Sequence, residues 1–172
     1  MMRWGAEDLK PGQRIQTEWV DISDITKPYL MDVFEHWDGV RDGKFAPSLL
    51  EFRLEDLPPQ IVPYMVIVDI LGPPVDFYYR FFGTKMVENA GFDISRKTYF
   101  ADKVQGYGFV NAEIFPHVIK ERKPLATLTS WISIKGMRFS TTTIRLPISA
   151  NNKDVTHAVS VNHFELTSDE QT

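Results

Sequence analysis

Cysteine is absent from the 172-residue sequence, which excludes disulfides, iron–sulfur clusters and thiol nucleophiles. The sequence also lacks any run of about 20 apolar residues, the length that a membrane-spanning helix needs. Its first residues contain no apolar core of the kind found in secretory signals. These absences predict a cytoplasmic protein with no membrane partner.

An excess of positive charge is missing as well. The 19 Lys and Arg residues are outnumbered by 23 Asp and Glu residues, which gives a formal net charge of −4. Because a nucleic-acid partner requires a basic face, we expect none. Apolar residues are plentiful at 43% of the chain and include 12 phenylalanines, so the composition predicts one globular domain with a ring-rich core.

The N-terminal part of the chain divides into an arm and a helix. Residues 1–27 show little periodicity and predict an N-terminal arm, whereas residues 28–40 begin with Pro28, a residue suited to the first helical position. An aromatic and apolar stripe follows at helical spacing. Its members are Tyr29, Val33, Phe34 and Trp37. At the other end, the polar residues 167–172 predict a disordered tail, which leaves 28–166 as the domain.

Strand signals dominate the remainder. Residues 65–71 and 77–82 flank a Gly-Pro-Pro turn and predict a hairpin. Residues 125–134, 137–146 and 155–166 predict a three-stranded meander that the hairpin joins, because an isolated hairpin is marginally stable. A helical pattern covers 106–122, and Pro116 inside it predicts either a kink or two abutting helices. The expected class is therefore α+β, with a five-stranded antiparallel sheet and helices on one face.

Alternation along the hairpin assigns its two faces. The expected inner face carries large apolar side chains from both strands. They are Val66, Val68, Ile70, Phe77, Tyr79 and Phe81. Asp69 and Arg80 fall on the opposite face as diagonal neighbours, so we interpret Asp69 as an ion-pair partner rather than as a general base.

Motifs for catalysis or metal binding are scarce. No Gly-x-Ser-x-Gly elbow is present, and no two of the four histidines have the spacing that places two rings on one helical face. His117 is the best candidate for a lone haem ligand. A set of aromatic side chains either walls a ligand cavity or forms solid core, and the sequence alone leaves both alternatives open. The candidate ligand- or cofactor-binding residues are Tyr79, Phe81, Tyr99, Phe109, His117 and Trp131.

Three segments resemble a bacterial PAS-like family whose members are often single-domain proteins of alphaproteobacteria. They are His36-Trp37-Asp38-Gly39 with the following Arg41, Tyr79-Arg80-Phe81-Phe82-Gly83-Thr84, and Arg145-Leu146-Pro147-Ile148. The similarity spans about residues 30–165 of the chain. Ser95-Arg96-Lys97 departs from it, since a Thr-Gly pair is usual there.

The resemblance implies a PAS fold and a non-catalytic role in sensing or protein interaction, through a signalling partner that the sequence does not identify. It leaves the ligand open, since such domains bind haem, flavin, small acids or nothing. We also expect a homodimer formed through Tyr29, Val33, Phe34 and Trp37. Two alternatives stay open: a small cofactor-free enzyme, in which Tyr79, His163 or Asp69 supplies the polar group, and a purely structural dimerisation domain.

Overall fold

The computed structural model describes residues 14–72, 75–90, 93–100, 110–132 and 137–167. Within these ranges the chain forms one antiparallel sheet of seven strands, in the order β1-β5-β6-β7-β2-β3-β4. The strands are β1 Arg14–Val20, β2 Met65–Leu71, β3 Asp76–Phe82, β4 Thr98–Phe100, β5 Leu125–Ile132, β6 Arg138–Ile148 and β7 His157–Leu166. The α-helices are α1 Pro28–Val40, α2 Thr84–Ala90 and α3 Phe115–Glu121.

The predicted hairpin and meander are confirmed. Strand β2 pairs with β3 on one side and with β7 on the other, while β5, β6 and β7 pair in sequence. The predicted count of five strands is wrong, because β1 adds to the edge beside β5 and β4 to the edge beside β3. Both additions lack a strong apolar pattern: β4 has three residues, and β1 is held by backbone pairing along an edge.

Two boundaries differ from expectation for local reasons. Residues 14–20, predicted as part of an arm, form β1, while residues 1–13 and 168–172 lie outside the described residues. Of the two alternatives expected near Pro116, the structure shows two abutting helices: a π-helical turn over Val110–Ile114 gives way to α3, which carries Pro116 in its first turn. The start of the predicted helix at 106–109 and the turn at 135–136 are not among the described residues.

Helix α1 covers one side of the sheet, which we term the outer face. Leu30, Val33 and Trp37 are 0 to 2% exposed and belong to one apolar cluster with strand residues. Those strand residues are Met65, Ile67, Ala126, Ile144, Leu146, Ile148, Val159 and Val161. Trp37 also donates from Nε1 to the carbonyl oxygen of Pro147 at 2.8 Å. The helix is thereby anchored by both apolar contact and a buried hydrogen bond.

This packing changes the interpretation of the α1 stripe. Tyr29 and Phe34 are half-buried and pack against the same cluster that buries Val33 and Trp37. The premise that the stripe lies outside the core is therefore wrong, because the chain's own sheet covers it. Homodimerisation itself stays a prediction, without the support of this stripe.

Helices α2 and α3 cover the opposite side, the inner face, so the expectation of helices on one face is wrong. Met86 and Ala90 of α2 and Phe115 and Val118 of α3 join the inner apolar cluster. The strand residues of that cluster are Val66, Val68, Phe77, Tyr79, Phe82 and Ala158. Both sides of the central strands are therefore buried, which explains the continuous apolar run at the start of β2.

A bulge in the hairpin redistributes the β3 aromatics. Ile67 lies opposite Phe81 and Val68 opposite Tyr79, so Arg80 is an extra residue between two paired positions. Tyr79 is fully buried on the inner face and Arg80 is exposed, as predicted. The assignment of Phe81 to the inner face is wrong, because the extra residue turns Phe81 to the outer face and Phe82 inward.

Gly83 joins the end of β3 to α2 at a point of close backbone approach. Its N–H donates to the Met65 carbonyl at 2.9 Å, and a Cβ at this position would lie 2.2 Å from the Pro63 carbonyl oxygen. No side chain fits there unless backbone atoms shift. This requirement explains the glycine of the Gly83-Thr84 pair in packing terms.

Candidate functional site

Polar side chains are buried together where β5, β6 and β7 contribute to the inner face. We call this group the polar patch; it consists of Thr127, Thr129, Thr141, Thr143, Arg145, Ser160 and Asn162. All seven are 1 to 4% exposed. In register, Thr127 lies opposite Thr143 and Thr129 opposite Thr141, which forms a two-by-two grid of hydroxyls.

Hydrogen bonds link the patch internally and to its surroundings. Arg145 donates from Nη1 to Thr127 Oγ1 at 2.7 Å, and Thr143 donates to Asn162 Oδ1 at 2.7 Å. Asn162 in turn donates from Nδ2 to the Tyr64 carbonyl at 3.0 Å. These bonds position the side chains rigidly, because each lies on a paired strand and is held by a second strand or by the segment before β2.

The edges of the patch are aromatic and hydroxylic. Trp131 donates from Nε1 to Thr141 Oγ1 at 2.9 Å, stacks on Phe139 with ring centroids 4.5 Å apart, and meets Phe164 edge to face. On the edge strand β1, Thr17 Oγ1 lies 3.1 Å from Thr129 Oγ1. The patch is thus bordered by rings at one end and extended by a hydroxyl towards β1.

The remainder of the inner face is apolar, and this contrast limits its chemistry. Among the described strand residues of the inner face there is no carboxylate, histidine or lysine side chain. Tyr99 packs against the inner cluster, and burial raises the pKa of its phenol, so it holds its proton more tightly than usual. The described strand residues of this face offer hydrogen-bond donors and acceptors but no group that exchanges protons near neutral pH.

The structure separates the six candidate residues that the sequence suggested. Tyr79 and Tyr99 meet edge to face on the inner side at 5.4 Å between centroids, and Trp131 borders the polar patch. Phe81 lies on the outer face, and His117 is exposed on α3 at an edge contact of 5.0 Å with Trp19. Phe109 falls outside the described residues. A cavity-lining role for Tyr79, Tyr99 and Trp131 stays a prediction.

Sequence reasoning missed the polar patch, although a signal for it is present. In β5, Thr127 and Thr129 alternate with Ala126 and Leu128, and β6 carries three successive threonines, residues 141–143. Threonine is a common strand residue on exposed faces too, so this pattern indicates strands without showing which face is buried. Its burial depends on what covers the inner face, which local pattern does not reveal.

Polar side chains of the outer face form two separate groups. Asp69 accepts two hydrogen bonds of 2.7 Å from Arg80, as predicted, and lies 3.6 Å from His157 Nε2. Burial, with a smaller contribution from Arg80, lowers the pKa of His157, although Asp69 opposes this shift. The carboxylate is therefore part of an ion pair, which agrees with the interpretation made from the sequence.

The second outer-face group fastens the start of α1 to the end of β7. Tyr29 contacts His163 Nδ1 and donates to the Asn162 carbonyl at 3.0 Å. The other ring nitrogen of His163, Nε2, lies 3.0 Å from Glu165. Lys27 also contacts Glu165. Burial raises the pKa of the Tyr29 phenol above its usual value. His163, a candidate acid or base for an enzyme cavity, is thus directed to α1 and away from the inner face.

Two surface grooves are lined by residues that the structure describes. The larger has a volume of about 490 Å³ and lies between the segment preceding β2 and the end of β3. Its lining is mainly apolar: Leu54, Glu55, Leu57, Pro59, Val62, Pro63, Phe81, Phe82 and Thr84. The smaller, about 250 Å³, lies beside Trp19 and His117. Neither is lined by a residue of the polar patch.

In the described part of the chain, no three His, Asp or Glu side chains come together as a metal site would require. No helix there has both the length and the apolar character needed to cross a bilayer. 

Comparison with known proteins gives a limited result. No protein-family model matches the sequence, and no curated protein matches it. Among solved structures, the chain is similar to an RNA-binding light-oxygen-voltage receptor, with 13% sequence identity and a TM-score of 0.41. The match covers 86% of this chain but 38% of the receptor, so the chain spans well under half of that protein's length. RNA binding is a property of that receptor.

Proposed function

We propose that this chain is a non-catalytic sensory module of PAS-like type that binds a small molecule at the polar patch and passes its state to a partner protein. The observation that carries the proposal is the burial of seven polar side chains on one side of β5, β6 and β7. The opposite sides of the same strands contribute apolar residues to the outer cluster, among them Ile144, Leu146 and Val161, so apolar side chains are compatible with these strands.

Burial of so many polar groups is costly unless hydrogen bonds replace the lost water. The internal bonds of the patch satisfy part of this requirement, and a bound molecule with complementary groups would satisfy more. Ligand sites commonly combine aromatic walls with a few fixed polar groups. Trp131, Phe139 and Phe164 provide such walls beside the hydroxyl grid.

The character of the polar groups favours binding over catalysis. Threonine, serine and asparagine do not titrate near neutral pH, and arginine stays protonated. Two of the three groups considered for an enzyme, Asp69 and His163, lie on the outer face in other contacts. The enzyme alternative therefore retains Tyr79 alone on the described inner face.

The rival is a purely structural patch, in which the polar residues only specify the packing of the strands. Native mass spectrometry of the purified full chain separates the two. We expect a retained molecule that is released on denaturation, and we expect its occupancy to fall when Thr143→Val and Asn162→Leu are combined. Thr142→Val is the matched control, because Thr142 occupies the other face of β6.

An unliganded protein that gains no stability from any compound in a small-molecule thermal screen would contradict the proposal and leave the structural role. Homodimerisation is part of the proposed mechanism, with an interface other than the buried α1 stripe. Light scattering over a concentration series measures it independently of ligand.

A further inference from the structure

We infer that the molecule bound at the polar patch presents carbonyl or carboxylate oxygens to the hydroxyls of Thr127, Thr141 and Ser160. This inference rests on the proposed function, because it names the chemistry of the ligand at that same site. The evidence is the balance of donors and acceptors in the patch.

A threonine hydroxyl has one O–H to donate and can also accept hydrogen bonds. Thr127 Oγ1 accepts from Arg145, and Thr141 Oγ1 accepts from Trp131. Since both oxygens serve as acceptors, each hydroxyl still has its own proton to donate. Both side chains are 1% exposed, so water does not accept these protons freely.

Neither hydroxyl donates a hydrogen bond to another residue that the structure describes. Ser160, 4% exposed and directly opposite Arg145 on β7, likewise has no side-chain hydrogen bond to any of those residues. Three buried hydroxyls therefore have donor capacity that the described protein does not use. Buried donors without acceptors are rare in folded proteins and call for a specific cause.

The three hydroxyls are placed to act together. Thr127 and Thr141 are diagonal neighbours across β5 and β6, a relation that puts side chains roughly 7–8 Å apart at Cβ. Acceptance of a hydrogen bond from the Arg145 guanidinium also polarises the Thr127 hydroxyl and strengthens it as a donor. One oxygen-bearing group between them can accept from more than one hydroxyl.

A ligand that pairs with these unused hydrogen-bond donors must supply hydrogen-bond acceptors. Carboxylate and carbonyl oxygens accept without donating, whereas an ammonium group only donates and would leave all three protons unsatisfied. Aromatic rings of Trp131 and Phe164 next to the grid suit an apolar body attached to that oxygen. The class is thus a small molecule with an apolar part and an acceptor headgroup.

Isothermal titration of the full chain with three matched probes tests this class. The probes are phenylacetate, phenylacetamide and phenethylamine, which share a ring and differ in the headgroup. We expect binding of the carboxylate or the amide and at least tenfold weaker binding of the amine. Loss of a hydrogen bond to a ligand oxygen through Thr127→Val or Thr141→Val should weaken binding by about tenfold, more for the carboxylate than for the amide.

Conservative variants distinguish the effect of losing a hydroxyl group from the effect of changing the packing. Thr127→Ser and Thr141→Ser keep the donor and should bind within about threefold of the parent chain. If a valine variant does not fold, Ser160→Ala replaces it, since Ser160 makes no hydrogen bond that its loss would break among the described residues. Binding that is equal in the serine and valine variants would overturn the inference.

The remaining outcomes of these experiments also test the inference. Tighter binding of phenethylamine overturns the acceptor class but leaves the patch as a binding site. If no probe binds, the molecule released in native mass spectrometry is identified: a carbonyl or carboxylate compound whose retention falls in Thr141→Val supports the inference, and any other compound overturns it. Absence of both a probe complex and a released molecule overturns the inference together with the proposed function.

Discussion

The two faces of β5, β6 and β7 are built from alternate residues of the same strands, yet their buried side chains differ in chemistry. The outer face contributes an apolar cluster that α1 covers through Leu30, Val33 and Trp37. The inner face carries the polar patch, whose side chains are equally buried. Apolar contact is non-directional and tolerates a range of partners, whereas hydroxyls and amides require partners at defined distances and angles.

This difference assigns separate roles to the faces. The outer face contributes stability, because large side chains of α1 are removed from water against the strands. The inner face contributes specificity, because net stabilisation by buried hydrogen bonds is modest while a lost partner is costly. Substitutions on the two faces should therefore differ in size and in kind.

The largest effect is expected on the outer face, from Trp37→Ala. Trp37 is 2% exposed, and its indole also donates to the Pro147 carbonyl, so the change leaves a cavity and an unpaired acceptor. We expect a loss of about 3–5 kcal/mol in the free energy of unfolding. Urea unfolding monitored by circular dichroism measures it.

Trp19→Ala is the matched control, since the side chain of Trp19 is 47% exposed on the edge strand. Its loss should stay below about 1 kcal/mol. Equal effects at the two tryptophans would contradict the assignment of the outer face as the main source of stability.

Local pattern predicted helix α1, the hairpin and the strand order of the meander, but not the packing of α1 on the outer face. Helical spacing gave α1, and alternation gave the hairpin and its ion pair of Asp69 with Arg80, because both depend on residues close in sequence. The bulge that turns Phe81 outward was not predictable in this way. It depends on the register between β2 and β3, which packing on both faces of the sheet decides.

The polar patch and the edge strands escaped prediction for a different reason. Threonine in a strand suits exposed and buried positions alike, so only the cover of the inner face reveals that Thr129 and Thr141 are buried. Strand β1 is held by backbone pairing with β5, and its sequence carries little apolar periodicity. Global context, not residue type, determines both features.

The segments that carry the PAS-like resemblance have structural tasks. Trp37 anchors α1 to Pro147 through a hydrogen bond. The Arg41 guanidinium lies 5.5 Å from the centre of the Trp37 ring. Arg41 also donates hydrogen bonds to Asp38 and to the Lys44 carbonyl. Gly83 permits close contact with the segment before β2. These residues report how the chain folds, while the side chains proposed to meet a ligand lie between them on the strands.

An intermediate effect is expected within the inner face, from a double-mutant cycle on Thr17 and Thr129, whose hydroxyls form one hydrogen bond. Either Thr17→Val or Thr129→Val leaves a hydroxyl without that partner and should cost about 1 kcal/mol. The double variant should cost less than the sum, because valine fills the same volume and no unpaired hydroxyl remains. Urea unfolding of the four proteins gives the coupling.

Strictly additive losses in that cycle would show that the Thr17–Thr129 bond contributes nothing. Losses as large as that of Trp37→Ala would mean that the inner face stabilises the fold as strongly as the outer face does. Either result would remove the division of roles between the faces.

The smallest effect concerns the pH dependence of the outer face at His157. Burial lowers the pKa of this imidazole below its usual value of 6.5, so the folded state binds a proton less readily than the unfolded chain does. As the pH falls from 6.5 towards the lower folded-state pKa, the unfolded state therefore holds more protons than the folded state does. The stability that His157 contributes is fully present above pH 6.5 and decreases as the pH falls through this range. Asp69 and Arg80 are the charged groups beside the ring. His157→Gln removes the titrating group, so the decline in unfolding free energy between about pH 7.5 and about pH 5 should shrink, by less than about 1 kcal/mol. A profile that steepens in His157→Gln would show that Asp69, rather than burial, governs the imidazole.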